Sequence, residues 1–176
     1  MLNLPSFIIH HGLQIMRQSN KNSLKTPATR FLDQRHFPYE IYECTGEIEG
    51  TAEFMANFLG VPCYEVIKSI VFMDEKYHGY MVLQHGDQTI DTKLLRKILG
   101  VKSVRAAPYD YAHKWTGYEF GGTSPFGIKA NIPIYAERTI FEMESLFING
   151  GKRGVNVKIT PDILRQIGVI PVEVSK

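Results

Sequence analysis

Residues 66–84 read VIKSIVFMDEKYHGYMVLQ. The run from Val66 to Met73 is short and mostly apolar, the pattern of a buried strand. Asp74, Glu75 and Lys76 interrupt it, and residues 77–84 follow as its expected hairpin partner. Helical and strand patterns alternate irregularly on either side, with hairpins among them. That mixture favours an α+β fold with a mixed sheet over a strict doubly wound one.

Upstream, Thr26-Pro27 reads as a helix start. The Thr hydroxyl can accept an orphan N–H, and Pro at the first helical position has no N–H to lose. Ala28, Phe31, Leu32 and Arg35 follow at helical spacing, and Pro38 marks the stop. Tyr39, Ile41 and Tyr42 read as a strand. After an acidic, Gly-bearing stretch, Thr51 can cap a helix with Ala52, Met55, Phe58 and Leu59 on its apolar face, ended by Gly60. Downstream, Asp91 caps a helix carrying Leu94, Leu95, Ile98 and Leu99. Residues 101–105 suit a strand and 109–115 a short helix. Strands are expected at 132–136, 146–148, 155–159 and 169–174, and Thr160-Pro161 repeats the helix-start device.

The chain has 176 residues, with 20 basic and 18 acidic side chains that leave a net charge of +2. Two cysteines cannot staple a fold of this size, and ten Phe and nine Tyr argue against disorder. No stretch reaches the roughly 20 apolar residues of a membrane span. Residues 1–25 are expected to form a flexible extension and residues 26–176 a single domain. The start lacks the positive residues and long apolar core of a secretory signal, and Met16 offers a second candidate start. A cytoplasmic setting is the expectation, with no membrane or DNA partner.

Metal chemistry is poorly supported: His10, His11, His36, His78, His85 and His113 form no HxH or HExxH pair, and no CxxC exists. Neither a metal nor another cofactor is expected. A cysteine nucleophile is also poorly supported. Cys44 lies among acids, and Cys63 follows Pro62 at a turn, so neither has an evident activating cation. Lys68 interrupts a buried strand, which is costly unless it snorkels, pairs or faces a cavity. A rim position and a functional one both fit. Residues 150–154, Gly-Gly-Lys-Arg-Gly, are either an exposed hairpin turn or a basic anion grip. Residues 121–129, GGTSPFGIK, carry the strongest local signal. Gly121, Gly122 and Gly127 allow close backbone approach, Pro125 fixes one torsion, and such a loop can aim N–H groups at an oxyanion.

Together these motifs resemble the YbaK/EbsC aminoacyl-tRNA deacylases. The resemblance rests on Thr26-Pro27-Ala28, Leu59-Gly60, Lys68-Ser69, Asp91-x-Lys93-Leu94 and Thr116-Gly117-Tyr118. It also includes Gly121-Gly122-x-Ser124-Pro125-x-Gly127 and the turn at 150–154, and it covers Thr26 to the C-terminus in order. It implies the fold of the editing insertion of bacterial prolyl-tRNA synthetases: a mixed, partly barrel-like sheet flanked by helices. It implies hydrolysis of a mischarged tRNA, Cys-tRNA(Pro) or a related mischarged tRNA(Pro). Lys68 matches the family's functional lysine, and Gly121 and Pro125 its Gly-x-x-x-Pro loop.

On that resemblance Lys68 would contact the terminal ribose or ester oxygens, while Gly121, Gly122, Pro125 and Gly127 shape the loop that stabilises the attacked carbonyl. Ser69 and Ser124 would line the amino-acid pocket. Cys44 and Thr51 stand near the positions of the family's pocket aromatics, with Tyr42 or Phe54 as substitutes. No protein nucleophile is implied: the substrate's own thiol attacks, or water does with help from the ribose hydroxyl. Lys129, Lys152 and Arg153 would hold tRNA phosphates, and prolyl-tRNA synthetase is a candidate partner. A non-catalytic tRNA- or synthetase-binding regulator and a hydrolase of small esters or thioesters are the alternatives. Residues 1–30 hold four basic side chains and no acid, so the remainder is net acidic. RNA contact by the body therefore requires a local basic cluster.

Overall fold

The computed structural model describes residues 9–10, 13–17 and 24–176. The expected hairpin is its central pair. β4 (Val66–Asp74) runs antiparallel to β5 (Gly79–His85), with Ser69 opposite Leu83. β5 starts later than the sequence suggests because Tyr77 takes a left-handed φ of 64° inside the turn. Asp74 closes that turn by accepting from the Lys76 and His78 amides, each at 2.8 Å.

Among the described residues, one ten-stranded sheet is built outward from this pair. β1 (Ile9–His10), β2 (Leu13–Arg17), β3 (Glu40–Cys44), β9 (Val155–Ile159) and β8 (Leu146–Asn149) lie on the β4 side. β7 (Ile134–Glu137) and β10 (Ile170–Val172) lie beyond β5. The pairs β4–β8, β5–β7 and β7–β10 are parallel and the others antiparallel, so the sheet is mixed as expected. Within the sequence-expected extension, Leu13–Arg17 pairs with β3. Residues 1–8, 11–12 and 18–23 lie outside the described residues.

The capping residues act largely as read. Thr26 and Thr29 exchange hydrogen bonds at the start of α1 (Pro27–Gln34). Thr51 accepts from the Phe54 amide at α2 (Ala52–Leu59), and Asp91 from Lys93 and Leu94 at α3 (Thr92–Leu99). α4 (Tyr109–Thr116) follows β6 (Val104–Ala106). At α5 (Pro161–Gln166) Thr160 stands at the cap but makes no side-chain cap bond, leaving Pro161 to set the first torsion.

Burial pattern explains the assembly. The main core joins Ile41, Val71, Leu83, Ala136, Ile148 and Val157, from strands near both ends of the sheet path, with Leu32, Ala112 and Ile163 from three helices. The sheet therefore curls around a common interior. A second cluster under α2 contains Tyr42, Cys44, Met55, Phe58 and Phe147, and a third under α3 contains Phe72, Val82 and Leu95. Each such large apolar side chain contributes about 1.5–3 kcal/mol on burial.

Candidate active site

β4 creates the site by changing partners along one edge. β8 pairs with Val66 and Ile67, whereas β6 pairs with Phe72, Met73 and Asp74. The Ala107 amide donates to Val71 O at 2.8 Å. Alternate residues of a strand turn their N–H and C=O groups to the same edge. Ser69 therefore directs its amide and carbonyl into the break between β8 and β6. A cavity of about 380 Å³ opens there, a volume within the range of small-molecule sites.

Among the described residues, Ser69 Oγ is the buried side-chain polar atom without a hydrogen-bond partner. A buried hydroxyl left unpaired costs about 1–3 kcal/mol, so this atom marks a place where stability is given up. Ile48, Met55, Ala107 and Ala112 supply apolar wall, while Thr51, Asn149 and Asn156 add polar groups.

Lys68 lines the same cavity and is half-buried. Its Nζ donates to Gln88 O at 2.6 Å. Burial pulls its pKa below the ordinary lysine value, with Cys63 and Asp87 pulling the other way. Burial raises the Cys63 thiol, neighbouring Asp87 and Glu53 raise it further, and Lys68 pulls it the other way. Cys44 is 3% exposed, packs under α2 and has a thiol raised by burial. Burial is the leading effect at both cysteines and disfavours the thiolate. Cys44 does not line the cavity, because β3 is covered by α2 on one face and by the main core on the other.

The glycine-rich loop divides its labour. Gly121 lines the cavity and has φ +83°, a conformation that favours glycine. Its carbonyl accepts from Asn149 Nδ2 at 2.7 Å, while Asn149 Oδ1 accepts from the Gly151 amide at 2.7 Å. One asparagine thus joins the loop to the basic turn. Gly122 packs on the backbone of Lys152 and Arg153, and its amide donates to Glu119 O.

Gly127 has φ +66°, and a Cβ there would lie 2.8 Å from Pro27 O, so α1 seats against it. Pro125, Gly127 and Lys129 border a separate hollow behind the loop. Ser124 is fully buried, with Oγ accepting from the Phe126 amide at 3.4 Å. It shapes the loop and does not line the cavity. Thr26 Oγ1 donates to Gly150 O, which connects the first motif of the chain to the basic turn.

Of the residues singled out in the sequence, Lys68, Ser69, Thr51 and Gly121 thus meet at one cavity. Lys152 is exposed, 3.9 Å from Glu43. Arg153 sits at the rim. Its guanidinium faces Gly50 and Gly121, and Nη2 donates to Phe120 O at 3.4 Å. Asn149, Asn156 and Phe120 were not anticipated. Asn156 left a trace, as a polar residue between Val155 and Val157 in an apolar strand. Among the described residues no group of three His, Cys, Asp or Glu side chains is placed to hold a metal, and no helix is long and apolar enough to cross a membrane.

Comparison with known proteins fits this geometry. The aminoacyl-tRNA editing domain family matches residues 48–167. Enterococcus faecalis EbsC, provisionally named a Cys-tRNA(Pro)/Cys-tRNA(Cys) deacylase, is 30% identical over 145 residues, covering 82% of this chain and 88% of that protein. The proline–tRNA ligase of Lactiplantibacillus plantarum is 26% identical over 105 residues, and the match covers 60% of this chain and 18% of the ligase. A provisional trans-editing enzyme for prolyl-tRNA synthetase shares the fold, with a TM-score of 0.77 and 24% identity over 88% of this chain and 99% of that one. The family match takes in the split edge of β4, the glycine-rich loop and the basic turn, and the chain belongs to the aminoacyl-tRNA editing domain family.

Proposed function

We propose that this protein is a trans-editing aminoacyl-tRNA deacylase that hydrolyses mischarged tRNA(Pro), with Cys-tRNA(Pro) as its main substrate. The observation that carries the reading is the cavity at the break in β4, where Lys68, the unpartnered Ser69 hydroxyl and Gly121 converge. Its volume suits one aminoacyl group. Its wall combines apolar side chains with a few polar ones, as a site for a small amino acid requires.

The aminoacyl ester enters with its carbonyl toward the Gly121 side and its amino-acid portion toward Ser69. Lys68 exchanges its bond to Gln88 O for one to the ester or ribose oxygens, supplying positive charge where the transition state develops negative charge. Water adds to the carbonyl, the ester C–O bond breaks, and the proton from water goes to the departing ribose oxygen. The products are the free amino acid and tRNA with its terminal hydroxyl restored. With a cysteinyl substrate, the substrate's own thiol is an alternative attacking group: its sulfur bonds to the carbonyl carbon, the ester C–O bond breaks, the thiol proton goes to the departing ribose oxygen, and water then opens the cysteine thiolactone to free cysteine. No protein thiol takes part, since neither Cys44 nor Cys63 lines the cavity.

The test is amino-acid release from tRNA(Pro) charged with Cys, Ala or Ser and from Cys-tRNA(Cys), using wild type and Lys68→Ala. Cys-tRNA(Pro) is expected to be cleared fastest, with a loss of about 10²-fold in Lys68→Ala. Equal rates for the two proteins remove Lys68 from the mechanism. Absence of release from every charged tRNA refutes the deacylase reading.

A further inference from the structure

We propose that Phe120, buttressed by Tyr109, is a stacking platform for an unpaired nucleobase at the 3′ end of the RNA whose ester enters the cavity. This rests on the deacylase reading and extends it to a part of the ligand that the cavity itself cannot hold.

Phe120 lines the cavity and is 53% exposed, which places an aromatic ring in water at the mouth of a reaction site. The ring is not loose. Tyr109 meets it edge-on, with centroids 5.2 Å apart and planes at 78°. Tyr109 in turn stacks on His113 at 5.5 Å. The Tyr109 hydroxyl donates to Glu119 Oε2 at 2.7 Å, and His113 Nε2 lies 3.5 Å from Glu119 Oε1. Helical spacing on α4 thus places Tyr109 and His113 in one ladder, and Phe120 continues it beyond the helix end. Rings fixed in advance lose little freedom when a ligand stacks on them.

A cation stands beside the platform. Arg153 Nη2 donates to Phe120 O, and the guanidinium faces Gly121 at the cavity rim. An exposed ring face beside an arginine, at the entrance to an ester-sized cavity, has the chemistry of a single-stranded nucleotide site. The base lies on the ring and the phosphate on the guanidinium. A protein partner fits less well. Glu119 precedes the ring in the chain, and Asp110 and Lys114 follow Tyr109 and His113 on α4; all three are exposed, so charge is interleaved with the aromatic residues, whereas the buried centre of a protein interface is depleted of charge. A base needs little more than one ring face.

The probe is an uncharged RNA minihelix with a single-stranded 3′ end carrying 2-aminopurine at its last position, whose fluorescence falls on stacking. Wild type is expected to quench the probe and bind it. Phe120→Ala and Phe120→Leu are expected to bind roughly tenfold more weakly with the quenching lost, whereas Phe120→Tyr retains both. Because the ring is exposed, the melting temperatures should match wild type. Equal affinity and quenching in wild type, Phe120→Ala and Phe120→Leu overturn the platform, as does a wild type that binds without quenching or does not bind. The assay needs no turnover, so the two proposals fail separately. A protein that clears charged tRNA while its Phe120 variants bind as wild type retains the deacylase reading and loses the platform. A protein that stacks the probe but releases no amino acid from any tRNA loses the deacylase reading.

Discussion

Gly121→Ala separates backbone strain from rim chemistry. Gly121 sits at φ +83°, where an L-residue pays about 1–2 kcal/mol relative to ordinary backbone. The added Cβ would lie 2.7 Å from Arg153 Nε and 3.2 Å from Nη2. The guanidinium is the exposed end of a flexible side chain, so it swings away at little cost to stability. That swing takes Nη2 from Phe120 O and moves a cation off the cavity rim. For a chain of this length about 1–2 kcal/mol lowers the melting temperature by roughly 2–8 °C. Thermal melts and steady-state deacylation measure the two effects independently. Adding Arg153→Ala removes the crowding but not the φ strain, so the lowered melting temperature is expected to persist. The losses in kcat/KM from the two single changes should be less than additive, because both displace the same guanidinium. A Gly121→Ala protein that melts like wild type, or one whose melting temperature Arg153→Ala restores, refutes the reasoning.

The remaining predictions use buried polar groups. Ser69→Ala removes an unpartnered buried hydroxyl and leaves little void, so stability in urea should be unchanged or higher while kcat/KM falls at least about tenfold. A fully active Ser69→Ala would remove that hydroxyl from substrate contact. His85 is fully buried, stacked on Tyr64 with centroids 3.6 Å apart and bonded to Tyr64 O and Thr139 Oγ1, each at 2.8 Å. Burial lowers its pKa below the ordinary 6.5. The native state keeps the ring neutral while the unfolded chain takes up a proton near the ordinary value. Stability from this residue is therefore complete above about pH 6.5 and declines as pH falls toward the native pKa, by at most about 1.4 kcal/mol per pH unit. Urea titrations from pH 8 to pH 5 should show that slope, flattened in His85→Gln. An unchanged slope in the variant assigns the acid sensitivity elsewhere.

Local signals made much of the fold legible. Thr26, Thr51 and Asp91 announced three helix starts because a capping side chain acts within three residues of itself. The β4–β5 hairpin was legible because a short turn leaves little choice of partner. Pairing of β4 with β8 was not, since it joins residues some 80 positions apart and has no local periodicity. The site divides in the same way. Lys68 and Gly121 stood out because a lysine in an apolar strand and a glycine-rich loop both need a special reason. Cys44, matched by position to a pocket residue, and Ser124, read as a pocket hydroxyl, do not line the cavity, because α2 packs over the first and the loop closes over the second. Asn149 carried no local signal, since its bonds to Gly121 and Gly151 exist only once two distant loops meet.

The partner change along β4 has a consequence for selectivity. Sheet edges ordinarily invite any extended chain to pair with them, which is why proteins shield them. Here a stretch of edge survives inside the molecule, closed at one end by β8 and at the other by β6. Ser69 offers an amide and a carbonyl to whatever enters, yet the opening has no length for a second strand. The amino group of an aminoacyl ester can donate to the Ser69 carbonyl, as the next strand residue would, while its own carbonyl faces Gly121. The backbone would then recognise any amino acid by the atoms all of them share, and the surrounding walls would be left to judge the side chain by size.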